Sequence, residues 1–338
     1  MAVLPDIEGP AGFAVFRTLG LQLDLRMIET ATDFCVQTAH GEIALQVKGS
    51  AVGLTLRARN DVKLHALKQI VFARLALLDQ PVMPQWDHVA TGALPPNLAI
   101  ARVATVTRIS PHFSRVRVAG LGLQRFGDGG LHFRLLLARP GRAPVWPRIA
   151  PDGRTIWPDG DDMLHRPVYT TRAFDPAGAW LDFDVFLHDG GRVTDWTTTA
   201  RAGDAVGLMG PSGSDIPDAG WVGLFGDETA LPAVARILAA LDPGTVGHAC
   251  VLLGDMSDRQ VLDRPPGMTL QWLTRKTGGD LIAALRGLVL PQADRFVWFA
   301  SEAAEATAAR TYLRDERGFG RLQSNISGFW TADTSSAK

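Results

Sequence analysis

The chain has 338 residues, 46% hydrophobic and 20% charged, with 34 Lys+Arg against 35 Asp+Glu and a formal charge of −1. That length suits two or three packed domains, and the composition excludes an intrinsically disordered chain. The balanced charge, with no long run of either sign, argues against nucleic acid as a partner.

No run of about 18 apolar residues is present to cross a membrane; the best candidate, 230–241, is interrupted by Arg236. The N-terminus carries Asp6 and Glu8 and lacks a basic region ahead of an apolar core, so no secretory signal is expected. Cys35 and Cys250 are the only cysteines. Thiols so far apart suggest no disulfide framework and favour a reducing compartment, so the expectation is a soluble cytoplasmic protein.

Residues 1–96 read as a small α+β domain. Residues 44–48 and 52–57 alternate apolar with polar side chains, the period of half-buried strands, and Gly49-Ser50 would turn them into a hairpin. Residues 62–78 then place Leu64, Leu67, Ile70, Val71 and Leu75 on one broad helical face. His65 and His88 belong to no catalytic cluster and are expected to be packing or surface residues. Pro81, Pro84, Pro95 and Pro96 punctuate a connector, and the domain boundary falls near residue 97.

Residues 97–217 read as antiparallel β. Strands are expected at 103–109, 115–118, 131–137 and 181–188, separated by Gly- and Pro-containing loops, the pattern of a small barrel. Residues 218–332 change character. A buried-type strand at 221–225 ends in Gly226; Asp227-Glu228-Thr229 supply capping residues, and Pro232 falls in the first turn of a helix. Strands at 248–253, 269–273 and 295–299, alternating with helices at 280–288 and 302–317, imply a parallel, doubly wound sheet. Residues 333–338 are a polar tail.

The stretch with most chemistry is Arg166-Pro167-Val168-Tyr169-Thr170-Thr171-Arg172. A Tyr-Thr pair on a strand between arginines suits a flavin: the phenol packs on the ring, the hydroxyl reaches the redox nitrogen, and a guanidinium pairs with the pyrophosphate. No Gly-x-Ser-x-Gly elbow, Walker loop or zinc-binding spacing competes. Taken in order, 166–175, 181–188, 203–213 and 226–233, then Val297-Trp-Phe-Ala-Ser-Glu302 and Gly328-Phe-Trp330, the sequence resembles the siderophore-interacting proteins. These are FAD-dependent ferric-siderophore reductases of the ferredoxin–NADP reductase superfamily. The resemblance covers residues 100–332 and implies an antiparallel β-barrel flavin-binding domain followed by an α/β parallel-sheet NAD(P)-binding-like domain. The N-terminal domain is similar to a small α/β domain of unknown function that precedes some of these proteins.

The resemblance implies FAD as cofactor, NAD(P)H as electron donor with ferredoxin as an alternative, and a ferric siderophore or other ferric chelate as acceptor. It places Tyr169 and Thr170 at the ring and His188 beside it. Gly191, Arg192, Thr194 and Trp196 lie in a loop that opens a helix toward the pyrophosphate. Asp227, Glu228 and Thr229 border the nicotinamide side, and Trp330 the flavin mouth. Pro167 stands at the family's phosphate-binding arginine, leaving Arg166, Arg172 or Arg192 for that role. Carboxylates at 227 and 228 suit a helix N-terminus but repel a phosphate, so a nicotinamide donor would bind transiently. Arg275 is expected to be solvated or to meet a cofactor phosphate. Segment 140–162, with Trp146 and Trp157, would either shield the ring or form a Trp-pinned surface loop. Ser212 and Thr331 stand where many relatives carry arginine, which argues against a highly anionic tricatecholate acceptor. No residue is assigned a chemical step of its own, and no metal ligand is expected. Two alternatives remain open: a flavin-free or weakly flavin-binding relative acting as a binding protein, and a flavin reductase with a non-siderophore acceptor.

Overall fold

The computed structural model describes residues 1–5, 7, 9–49, 51–80 and 82–332. Asp6, Glu8, the Ser50 half of the expected turn, Pro81 and the tail 333–338 lie outside the described residues. The chain divides into two compact units: Met1–Leu98 with Leu137–His165, and Ala99–Leu136 with Arg166–Lys338.

The first unit runs β1 (Ala2–Leu4), α1 (Gly9–Leu23), β2 (Met27–Glu29), β3 (Asp33–Thr38), β4 (Gly41–Lys48), β5 (Ala51–Arg57), α2 (Asp61–Leu75) and β6 (Gln85–Trp86). Its strands form one antiparallel sheet in the order β2-β3-β4-β5-β1-β6. The alternation at 44–48 and 52–57 marks strands because one face is covered. Phe34, Ile43, Leu45, Val52 and Leu54 close on Phe13 and Phe16 of α1 and on Leu67 and Val71 of α2. Asn60 starts α2 by accepting the Lys63 N–H at 2.9 Å, and the helix ends at Leu75, short of the expected 78. α1 escaped the sequence pattern because it opens on Gly9-Pro-Ala-Gly12, residues that read as a turn.

Segment 137–165 departs from expectation. It belongs to this first unit rather than to the strand it precedes. Its β10 (Arg148–Ile149) and β11 (Thr155–Ile156) form a hairpin. Ile149 accepts the Gly92 N–H at 2.8 Å and donates to the Ala93 carbonyl at 2.9 Å, and Thr155 lies 3.4 Å from the buried His65 ring.

In the second unit β7 (Leu98–Ser110), β8 (Phe113–Ala119), β9 (His132–Leu136), β12 (Val168–Thr170), β13 (Ala173–Phe174), β14 (Trp180–Phe186) and β15 (Ala205–Ser212) form an antiparallel sheet in the order β12-β9-β15-β7-β8-β14-β13. Its end strands β12 and β13 are joined by Thr171-Arg172 alone, so the sheet curls toward a barrel. α3 (Arg192–Thr199) lies between β14 and β15.

The rest alternates β16 (Trp221–Asp227), α4 (Leu231–Ala240), β17 (Val246–Leu253), β18 (Met268–Thr274), α5 (Leu281–Arg286), β19 (Arg295–Glu302), α6 (Ala303–Thr311) and β20 (Ser324–Trp330). These strands form a parallel sheet ordered β18-β17-β16-β19-β20. The chain runs outward from β16 in one direction and resumes at β19 on its other side. That reversal is where open α/β sheets bind ligands, beyond the carboxyl ends of the strands. The helix expected over 302–317 ends as an α-helix at Thr311 and continues as a wider π-turn, Tyr312–Glu316. No helix among the described residues is long and apolar enough to cross a membrane.

Candidate functional site

β12 pairs with β9 so that Tyr169 faces Phe133 and Thr170 faces His132 across the ladder. The Tyr169 ring packs on Phe183 of β14 at 5.3 Å between centroids, and burial raises its phenol pKa. The Thr170 hydroxyl lies 3.1 Å from His132 Nδ1. His132 is the site residue that sequence patterning missed, because a lone histidine on an expected barrel strand carries no motif. Its ring is tightly held. The Phe329 ring stands at 5.5 Å and 82° to it, and a Cβ on Gly213, whose φ is +85°, would fall 2.5 Å from its Cδ2. Burial, reinforced by the nearby Arg236 charge, pushes its pKa down to about 4. At neutral pH the ring is therefore uncharged, with one N–H to donate.

The three arginines expected at a phosphate are placed differently. Arg172 donates its backbone N–H to the Asp182 carbonyl at 2.8 Å, and its buried Nε lies 3.7 Å from Asp184. Asp184 is already held by both arms of Arg115 at 2.7 and 2.8 Å, and Asp182 by Arg117 at the same distances. Arg172 is thus one end of a charge row across β8 and β14. Its Nε has no hydrogen-bond partner. Arg166 is exposed, and its carbonyl accepts from Arg134 at 3.3 Å. Arg192 is exposed at the first position of α3.

At the end of β14, His188 stacks on Phe186 at 6.2 Å and donates its backbone N–H to the Thr194 hydroxyl at 3.2 Å. Gly191, which precedes α3, fits between them. A Cβ there would come within 2.7 Å of that hydroxyl and 2.9 Å of the His188 ring. No side chain caps α3. Its first-turn N–H groups, with the positive end of the helix dipole, suit an anion. Trp196 is half-buried within the helix.

The third wall is the carboxyl edge of the parallel sheet. Asp227, fully buried at the end of β16, accepts from the Thr229 N–H at 2.9 Å, the Thr229 hydroxyl at 2.6 Å and the Trp330 indole N–H at 2.7 Å. Such donors ordinarily depress a carboxyl pKa; here burial outweighs them and the pKa is raised. Glu228 accepts from the Gly254 N–H at 3.2 Å and from Arg275 at 2.7 Å. Arg275 is therefore not the solvated or phosphate-binding side chain expected, because Glu228 holds it. Phe329, beside Trp330, meets Trp298 at 6.0 Å as well as His132.

Thr170, His132 and Phe329 form one run of contacts, and Trp330 on Asp227 continues it. This run joins barrel strands β12 and β9 to the carboxyl ends of β16 and β20. His188, Gly191 and Thr194 form a second cluster, with Arg192 and Trp196 extending along α3. An aromatic ring, a hydroxyl beside a neutral imidazole, two exposed aromatic side chains and an uncapped helix start are a donor set that fits a flavin dinucleotide. Among the described residues no group of three or more His, Cys, Asp and Glu is arranged to hold a metal ion.

Residues 102–215 match the family model described as the siderophore-interacting FAD-binding domain, and residues 219–333 that of the siderophore-interacting protein. The chain is 30% identical over 207 residues to the NADPH-dependent ferric-chelate reductase of Escherichia coli K12, which covers 59% of this chain and 80% of that protein. It is 27% identical over 235 residues to the ferric vibriobactin reductase ViuB of Vibrio cholerae, covering 66% and 85%. A siderophore utilization protein from T. fusca superposes with a TM-score of 0.62 at 30% identity, over 73% of this chain and 98% of that one. The siderophore-interacting protein SipS from Aeromonas hydrophila does so at 0.58 and 26% identity, over 70% and 99%.

Proposed function

Because the chain belongs to the siderophore-interacting protein family, we propose that it is an FAD-dependent reductase of ferric siderophores, drawing electrons from NAD(P)H. The observation that carries this is the run of contacts from Thr170 on β12 through His132 on β9 and Phe329 to Trp330 on Asp227, which joins the barrel to the carboxyl ends of β16 and β20, with Tyr169 on the opposite face of β12. When bound, FAD supplies the conversion from hydride acceptance to single-electron delivery. Tyr169 offers an aromatic face fixed by Phe183. Thr170 presents a hydroxyl whose orientation is set by a neutral imidazole, so it holds a hydrogen bond without adding charge. Gly191, Thr194 and the first turn of α3, with exposed Arg192, take the dinucleotide phosphates, since Arg172 is mostly buried against Asp184.

The nicotinamide donor meets the edge where Glu228 is neutralised by Arg275 and Asp227 is sealed beneath Trp330. That edge offers little to hold a phosphate, which suits a donor that binds, reacts and leaves. The NADPH dependence named for the Escherichia coli relative supports a nicotinamide donor of this kind. The ferric-chelate and ferric vibriobactin reductases among its relatives support a ferric chelate as acceptor, and reduction frees the metal because hard oxygen ligands hold the less charged iron(II) more weakly than iron(III).

One observation favours a weak-binding variant of this reading: the Arg172 Nε is buried 3.7 Å from Asp184, without a hydrogen-bond partner. Both versions are separated by a visible absorption spectrum of purified protein after desalting, with and without added FAD. Flavin bands that survive desalting support the tight reductase. A spectral shift or quenching of the added FAD seen only at excess FAD supports the weak one, and no such change at any FAD concentration overturns both. Anaerobic assays with NADPH or NADH, a ferric siderophore and a ferrous-iron-specific chelator then test turnover. Quinone and dye acceptors run alongside expose a different acceptor.

A further inference from the structure

Arg236 is the one charged side chain of α4 and is only 7% exposed. Its two terminal nitrogens donate to the carbonyls of Thr171 at 3.0 Å and Gly127 at 2.9 Å. Its Nε is buried without a partner, and its guanidinium lies 5.3 Å from the Phe174 ring centroid. Arg115, Arg117 and Arg275 each have a carboxylate; among the described residues Arg236 forms no such pair. Arg295, held by the Pro291 and Arg317 carbonyls and the Phe319 ring, shows that a guanidinium can be buried on those terms. What distinguishes Arg236 is its place. Arg295 starts β19, at the end of the sheet opposite its carboxyl edge. Arg236 holds the carbonyl next to Thr170, and its charge reaches the His132 ring that Thr170 meets.

We propose that Arg236 is a fixed positive charge that stabilises the reduced flavin and so raises its reduction potential. This rests on the FAD-dependent reading above. Two electrons and one proton, delivered as hydride from NAD(P)H, turn the neutral isoalloxazine into an anion, and the nicotinamide leaves oxidised. Negative charge therefore appears beside β12 only on reduction. A cation already fixed in a dry site stabilises that charge without reorganising, and its attraction is stronger there than in water. His132, uncharged at neutral pH, does not supply this. At the carboxyl edge of the parallel sheet, Arg275 is taken by Glu228 and Asp227. Arg236 acts through the field at the flavin and through the backbone at Thr171, which follows β12, so it is a positioning and potential-setting residue.

The test is a dithionite titration of the FAD-loaded protein against a reference dye, comparing wild type with Arg236→Gln and Arg236→Lys. Glutamine keeps N–H donors for the carbonyls and removes the charge; lysine keeps the charge. The expected result is a midpoint potential lowered in Arg236→Gln by a tenfold change in the reduction equilibrium, about 30 mV for a two-electron couple, and largely restored in Arg236→Lys. A purely structural tie would lower melting temperature in both variants and leave both potentials at the wild-type value, which would overturn the proposal. If Arg236→Gln does not fold, Arg236→Met takes its place with the same criterion. Failure of the wild type itself to bind FAD overturns the parent reading, whereas bound FAD with an unmoved potential overturns this inference alone.

Discussion

Tyr169 and Thr170 are consecutive on β12, so their side chains leave opposite faces of the strand: the phenol meets Phe183 and the hydroxyl meets His132. That split gives Tyr169 a role that depends on its ring. Replacing Tyr169 with Ala is expected to weaken FAD binding roughly ten- to a hundred-fold, about 1.4–2.8 kcal/mol, whereas Tyr169→Phe stays close to wild type. Titration of flavin fluorescence quenching measures both, and an unchanged Tyr169→Ala would put the ring elsewhere. Arg192 is the exposed arginine at the start of α3, where a charged hydrogen bond to phosphate contributes about 1.5–3 kcal/mol. Arg192→Ala should then cost at least about tenfold in FAD affinity and flatten its salt dependence; no loss would move the phosphates to another arginine. At this scale the sequence spoke through residue types that are unusual together, such as Tyr169-Thr170 or Asp227-Glu228-Thr229. It was silent on His132, whose significance comes from a cross-strand neighbour 38 residues away, and on the capture of Arg275 by Glu228.

Strands were legible as elements wherever one face is buried, because alternation at a period of two then has to appear. β8 and β14 show it well, and their outer-face residues line up as Arg115 with Asp184 and Arg117 with Asp182. Partners of that kind cannot be paired from sequence, since register depends on the turns between them. The Asp184 side chain is fully buried and serves both Arg115 and Arg172. Its replacement by Ala would strand two guanidinium groups beside the strand that carries Phe183. The expected cost is about 3–5 kcal/mol, the range for breaking a buried pair from one side, read as a shift in urea midpoint at unchanged slope. A change below about 1 kcal/mol would mean water replaces the carboxylate and the row is not structural. Among the elements that the pattern did not mark, α1 and β20 were hidden for different reasons. α1 begins with glycine and proline, so local propensity argued against it, and only the sheet it covers makes it a helix. β20 is short of alternation and ends in exposed Gly328-Phe-Trp330; it is a strand because β19 offers a parallel edge.

Each of the two units buries a histidine that does not ionise at neutral pH, and this couples the whole molecule to acid. His65 in the first and His132 in the second are both pushed by burial to a pKa of about 4, from an ordinary 6.5. In the unfolded chain both regain the ordinary value. Between pH 6.5 and 4 the unfolded state therefore binds more protons than the folded one, and stability falls as pH falls through that window. Above pH 6.5 both states are neutral at these positions and the contribution is complete. It reaches about 3 kcal/mol per histidine as a ceiling, a large part of the total for a domain of ordinary stability. Unfolding near pH 5 should accordingly take up close to two protons per chain from these two sites. Urea unfolding followed at several pH values measures the slope. His132→Gln should lower the total proton uptake on unfolding by about one. Should the slope between pH 6.5 and 4 be the same in wild type and His132→Gln, the imidazole is already protonated in the folded protein. The Thr170 hydroxyl would then face a cation, and the uncharged hydrogen bond assigned to the flavin wall would be wrong.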